Sequence, residues 1–198
     1  EIPNAEERLN NYPHEMSGGM RQRAMIAVAL ACNPKVLIAD EPTTALDVTI
    51  QAQLMDLLKN IQKKTEMAVI LVTHDLGVVA NFADRVQVMY AGVVMERGSV
   101  HDIFKAPRHP YTCALLSSMP GRIQESKSEL YALRGTPPDL RRPIKGCPFA
   151  ERCEYRMSIC LKETPEEFPV EEGHSAACWL CHSMAPKVEL PKGIGGEG

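Results

Sequence analysis

The chain has 198 residues, 44% hydrophobic and 24% charged, the balance of one globular domain with or without an appendage rather than of a disordered chain. Its 22 Lys and Arg against 25 Asp and Glu leave a net charge of −3, which removes the electrostatic case for a dedicated nucleic-acid binder. The longest apolar stretches, such as Ala24 to Cys32, fall well short of the ~20 residues of a membrane span, and the polar, acidic start is not a secretory signal.

The chain opens at Glu1 without a Met, in a segment that reads as mid-domain, so the expectation is a piece of a longer protein. After Ser17-Gly18-Gly19, the Ala-, Met- and Arg-rich stretch Met20 to Cys32 predicts a helix with Ser17 as its N-cap, ended by Asn33-Pro34. Val36 to Ala39 is a continuous apolar run, the pattern of a strand buried on both faces, and it ends in Asp40-Glu41-Pro42. Helical spacing resumes from Val48 to Lys63 through Ile50, Leu54, Leu57, Leu58 and Ile61. Ala68 to Val72 predicts a second buried strand, Leu76 to Phe82 a short helix, and Arg85 to Tyr90 with Val93 to Arg97 a hairpin around Ala91-Gly92. This alternation predicts an α/β fold with a mainly parallel sheet and helices on its faces. Function in such sheets sits at the carboxyl ends of the strands, where Asp40-Glu41-Pro42 and Thr73-His74-Asp75 lie.

Two adjacent carboxylates after an apolar strand are costly to bury without a compensating cation or hydrogen bonds. One solution is a Mg²⁺–phosphate site, with Asp40 holding the metal and Glu41 polarising an attacking water; the other is a solvated turn that favours the next helix N-terminus. Ser17-Gly18-Gly19 is either an ordinary cap or a helix start whose backbone N–H groups approach a phosphate. His74 alone reads as a surface histidine.

In order, the chain carries Met16-Ser17-Gly18-Gly19-Met20-Arg21-Gln22-Arg23, Val36 to Glu41, Thr44-Ala45-Leu46-Asp47 and Thr73-His74-Asp75. Together these resemble the signature, Walker B strand, D-loop and H-loop of the ATP-binding cassette (ABC) ATPases, over about the first 119 residues. The resemblance implies a partial P-loop NTPase sheet that binds ATP and Mg²⁺. Asp40 would organise Mg²⁺, Glu41 would be the general base, and His74 would contact the γ-phosphate. Ser17, Gly18 and Gly19 would contact ATP held by a second ATPase subunit in a head-to-tail dimer. Asp47 would couple the two sites, and Gln22 would lie near the nucleotide. Met16 and Met20 stand where the signature usually has Leu and Gln, a tolerable variation that keeps the backbone donors. No G-x-x-x-x-G-K-[ST] occurs in the sequence, so the 198 residues alone are expected to hydrolyse ATP negligibly.

Ala106-Pro107-Arg108-His109-Pro110-Tyr111-Thr112, physically a turn entering a short helix, resembles the dipeptide/oligopeptide importer branch, which also takes up nickel and some oligosaccharides. That branch implies a peripheral subunit at the cytoplasmic face of the membrane. It would act with two membrane permease subunits and, indirectly, an extracellular solute-binding protein, with no nucleic acid.

Proline divides the chain, with six before position 120 and nine from it onward. This places a boundary near Pro120, a charged solvated linker over 120–146, a Cys-rich module over 147–182 and a disordered Gly-rich tail over 183–198. The intervals are Cys147-x5-Cys153-x6-Cys160-x17-Cys178, with Cys181 beyond. A loop-rich unit with few core residues needs a metal or disulfides, and four thiolates suit an iron–sulfur cluster or Zn²⁺. Cys147-Pro148-Phe149 and Arg152-Cys153 resemble the C-terminal extension of peptide-importer ATPases, which implies a [4Fe–4S] cluster on Cys147, Cys153, Cys160 and Cys178, with Zn²⁺ as the alternative and Cys181 as the spare thiol. Cys32 and Cys113 read as packing residues and His174 as a loop histidine. Two rival functions are a non-catalytic metal-binding docking or regulatory piece and a soluble ABC ATPase of DNA repair or translation.

Overall fold

A computed structural model describes residues 2, 4–44, 46–119, 133 and 135–191. Ala45, most of the expected linker and residues 192–198 of the expected tail lie outside the described residues. The chain divides into two compact units, Glu1–Phe82 and Ala83–Gly198.

In the first unit, α1 (Ala5–Arg8) is a single turn and α2 (Gly18–Leu30) starts where expected, with the Ser17 hydroxyl accepting from the Met20 N–H at 3.3 Å. It is followed by β1 (Val36–Asp40), α3 (Val48–Thr65), β2 (Ala68–Val72) and α4 (Leu76–Phe82). Asp47 caps α3, its carboxylate accepting from the Ile50 N–H at 2.9 Å. β1 and β2 pair in parallel from Val36↔Ala68 to Asp40↔Val72. Both strands therefore end level, and Glu41 and His74 leave the sheet side by side. Leu37, Leu58 and Met67 form the core, with Ile26, Leu30 and Phe82 packed around them.

The expectation of strands buried on both faces is corrected. Leu37 points into the helices, but Val36 and Ile38 are 50% and 66% exposed, and Ile70 and Val72 are 52% and 48% exposed. Side chains alternate along a strand, and the core here occupies one face of the pair. Cys32 is likewise exposed rather than packed.

The second unit opens with the expected hairpin, β3 (Arg85–Tyr90) and β4 (Val93–Ser99). Ala91 and Gly92 have φ of 50° and 80°, the paired left-handed geometry of a type I′ turn. Next come α5 (Val100–Lys105), begun by a reciprocal Ser99–Asp102 capping box, and α6 (Pro110–Ser117). The Cys-rich stretch ends in a second hairpin, β5 (Phe168–Glu171) and β6 (His174–Ala176). The sheet order is β3-β4-β6-β5, antiparallel throughout. Parallel pairing among the described residues is thus confined to β1 and β2, not the mainly parallel sheet expected. The Cys-rich stretch is also not a module without a core. Phe149 joins Tyr90 and Met95 in a buried cluster, its ring 5.4 Å from Tyr90 and 5.2 Å from Tyr111. Gly146 at φ 74° is forced by close approach, since a Cβ there would lie 2.2 Å from the Cys160 carbonyl oxygen.

Candidate functional site

At the carboxyl ends of β1 and β2, His74 Nδ1 lies 2.8 Å from Glu41 Oε1. Glu41 sits at φ 47°, an uncommon region for a residue with a side chain. That twist lets its N–H reach the Val72 carbonyl at 2.8 Å while the carboxylate swings to His74. Thr44 Oγ1 donates to the other carboxylate oxygen at 3.1 Å. The His74 hydrogen bond holds the Glu41 carboxyl below its usual range, and the same bond raises His74 above its ordinary value. Asp40 ends β1 exposed and directly precedes Glu41 in the chain, while the recorded contact at the strand ends is the one between Glu41 and His74. The carboxylate of Asp40 is a hard oxygen donor of the kind Mg²⁺ takes, but among the described residues it is not gathered with two other such groups into a metal site.

Ser17, Gly18, Gly19 and Asp47 form a second group. A Cβ on Gly19 would lie 2.8 Å from Ile50 Cγ2, and one on Gly18 would lie 3.6 Å from Leu46 Cδ2. Gly19 therefore lets α2 start close against the turn that Asp47 caps, while the contact at Gly18 is one that a side chain could make. Gln22 follows on α2 with its Oε1 buried and without a hydrogen-bond partner.

In the second unit, Cys147, Cys153, Cys160 and Cys178 line one cavity of about 10 Å³, walled also by Phe149, Trp179 and Leu180. That is the space of about one water-sized sphere. Burial pushes the Cys147 thiol up and the Cys153 thiol up to about 11. A hydrogen bond between Cys178 and Cys181 raises Cys178 and lowers Cys181. Four soft donors facing one space fit a thiophilic metal in kind. In arrangement they do not: among the described residues no group of three or more His, Cys, Asp or Glu could hold a metal ion. The expected metal-binding extension is present as a shared thiol cavity, not as a ligand cage.

The residues that sequence reading missed are Glu96 and His174. His174 is not a loop residue but begins β6, and its Nε2 lies 2.8 Å from Glu96 Oε1 with both side chains at most 1% exposed. Glu96 also accepts from the N–H groups of Arg108 at 2.7 Å and His109 at 3.0 Å. One carboxylate thus ties β4, β6 and the start of α6 together. His109 is buried too; burial lowers it to about 4, and its neutral Nδ1 accepts from the Tyr111 N–H at 3.0 Å. This gives His109-Pro110-Tyr111 a packing role. The sequence offers one hint, a Glu directly after the apolar run Val93 to Met95 and within the same strand.

Residues 1–44 match the ABC transporter family, and residues 95–160 match the family described as oligopeptide/dipeptide transporter, C-terminal region. The chain is 58% identical over 193 residues to the oligopeptide transport ATP-binding protein OppD of Bacillus subtilis, covering 98% of this chain and 54% of that protein. It is 58% identical over 189 residues to the dipeptide transport ATP-binding protein DppD of the same organism, covering 96% and 56%. A solved dimeric ATP-binding cassette in a post-hydrolysis state with ADP and phosphate is 38% identical, covering 46% of this chain and 39% of that one, with a TM-score of 0.42. The chain spans about half the length of the curated relatives it matches. No helix among the described residues is long and apolar enough to cross a membrane. Nearly the whole chain is thus similar to about half the length of oligopeptide and dipeptide transport ATP-binding proteins, and its first 44 residues match the ABC transporter family.

Proposed function

We propose that the chain supplies the hydrolytic half-site of the ATPase subunit of an ABC importer of di- and oligopeptides, working at the cytoplasmic face of the membrane. The Glu41–His74 contact at the level ends of two parallel strands carries this reading. Bound ATP and Mg²⁺ supply the scissile phosphoryl bond and the charge that neutralises it. Asp40 would hold the metal. Glu41 accepts a proton from the attacking water at its carboxylate, and His74 orients that carboxylate and reaches the γ-phosphate. Ser17, Gly18 and Gly19 present donors to the nucleotide held by a second ATPase subunit, with Gln22 nearby. Asp47 links the two half-sites. The P-loop lysine is not among these 198 residues, so alone they hydrolyse ATP negligibly. Two permease subunits and a solute-binding protein complete the importer.

Uptake of labelled dipeptide into vesicles holding the complete importer tests the reading. Uptake is expected to require this subunit and ATP, with nickel and oligosaccharides failing to compete. Uptake that continues without the subunit, or without ATP, overturns it.

From the cysteine pattern, and not from the arrangement of the thiols, we propose a [4Fe–4S] cluster on Cys147, Cys153, Cys160 and Cys178, which would need the four thiols to spread beyond the present space of about 10 Å³. A single Zn²⁺ is the second reading, favoured by a space of about 10 Å³. Anaerobically purified protein is expected to hold about four irons and four sulfides per chain, both lost in Cys147→Ser. One zinc without iron establishes the second reading instead, and no metal in either form overturns both.

A further inference from the structure

His74 is a long lever on a short loop: its side chain is 84% exposed, yet it meets Glu41 at 2.8 Å. What holds the loop is Asp75. Its N–H donates to Thr73 Oγ1 at 3.1 Å, and its Oδ1 accepts from the N–H groups of Gly77 at 2.8 Å and Val78 at 3.2 Å. Its remaining oxygen, Oδ2, accepts from Gln51 Nε2 at 2.8 Å. That bond is partly buried and spans 24 residues, so it fastens the loop to α3 rather than to itself. Gln51 stands in the first turn of α3, where its N–H bonds the Asp47 carbonyl at 2.9 Å and its neighbour Ile50 packs under Gly19. One helical turn thus touches the Gly18-Gly19 helix start, the Asp47 cap and the His74 loop.

We propose that Gln51 is a positioning residue for His74: through Asp75 it sets the loop so that the imidazole meets Glu41. The inference rests on the reading of Glu41 and His74 as the hydrolytic pair. The Asp75 carboxylate keeps its own-loop donors without Gln51, so the loop still forms but is no longer referenced to α3. His74 then samples positions away from Glu41. A misplacement of this kind in a reacting group costs on the order of 10- to 100-fold in rate.

The test follows the His74 imidazole by NMR across pH in the 198-residue chain, with the signal assigned by its loss in His74→Gln. In the wild type it titrates above the ordinary value of about 6.5 because Glu41 and, more weakly, Asp75 face it. Gln51→Met keeps length and helix propensity but removes the donor, and the midpoint is expected to fall back toward about 6.5. The exchange Gln51→Glu with Asp75→Asn reverses donor and acceptor, leaves Oδ1 to its two N–H groups, and is expected to bring the midpoint back above that of Gln51→Met, short of the wild type only by the weaker part that the Asp75 charge supplies. In the complete importer, Gln51→Met lowers kcat and leaves KM for ATP unchanged, the loss of an interaction used only in the reaction.

An unchanged midpoint in a Gln51→Met chain that keeps the wild-type circular dichroism overturns the proposal. So does a midpoint that shows no recovery in the exchange relative to Gln51→Met. If Gln51→Met shifts His74 but Glu41→Gln leaves hydrolysis intact, the hydrolytic reading fails and the positioning contact stands.

Discussion

Glu41→Gln in the complete importer is expected to lower kcat for ATP hydrolysis by about 10²- to 10⁴-fold, the range a general base contributes, with ATP binding retained. The amide has the size of the carboxylate, and the backbone N–H at position 41 still donates to the Val72 carbonyl, which keeps the turn at φ 47°. It can still hydrogen-bond His74, so the variant removes basicity and charge but not the shape of the site. The pH dependence follows from the pair. His74 holds the Glu41 carboxyl below its usual range, so the pair exists as an ion pair from that lowered value up to the raised value of His74. Hydrolysis that uses the paired form falls as pH drops through the first and as it rises through the second. Steady-state ATPase assays across pH check both limbs. Full activity in Glu41→Gln removes Glu41 from the role of base.

Glu96→Ala is expected to have the largest effect on stability. It strips the partner from the buried His174 and from the N–H groups of Arg108 and His109 in one step. Removing one member of a buried pair costs about 3–5 kcal/mol. For a unit of this size that lowers the melting temperature by roughly 15 °C or more. Glu96→Gln leaves a carbonyl to accept one of these bonds and is expected to cost less. Hydrogen bonding to Glu96 raises His174 above 6.5. The stabilisation from charging His174 in the folded state is therefore complete below about pH 6.5 and fades as pH rises through the raised value. Thermal melts between pH 5 and about pH 9 should show the wild type losing stability over that window and Glu96→Gln following a flatter course. Parallel curves for the two would show that His174 does not titrate against Glu96.

Local pattern sufficed where the signal was local. Ala68 to Val72 and Leu76 to Phe82 fall where the apolar run and the helical spacing placed them. Ser17 caps α2, and Ala91-Gly92 turns the hairpin, because caps and type I′ turns are written in two or three residues. Asp40-Glu41 and Thr73-His74-Asp75 were legible as strand-end chemistry for the same reason. Their 2.8 Å contact was not, since it depends on β1 and β2 ending in register.

The failures are all long-range. A strand such as Val36 to Ala39 reads as buried on both faces, but which faces are covered depends on what packs there, and here the helices cover one. The Cys-rich stretch reads as a loop-rich appendage, yet β6 pairs with β4 across about 80 residues and Phe149 enters the core beside Tyr90. The sequence by itself determined the helix caps, the turns, the strand and helix periods and the residues that carry the family likeness. Each of these is set by neighbours a few positions away, through backbone geometry and side-chain period. Only the tertiary structure decided that Glu41 meets His74, that Gln51 reaches Asp75, that four thiols share a cavity and that Glu96 is buried with His174. The three paired contacts join residues 24 to 78 positions apart, and chain spacing alone does not say which distant groups the sheet register and core packing bring within a hydrogen bond.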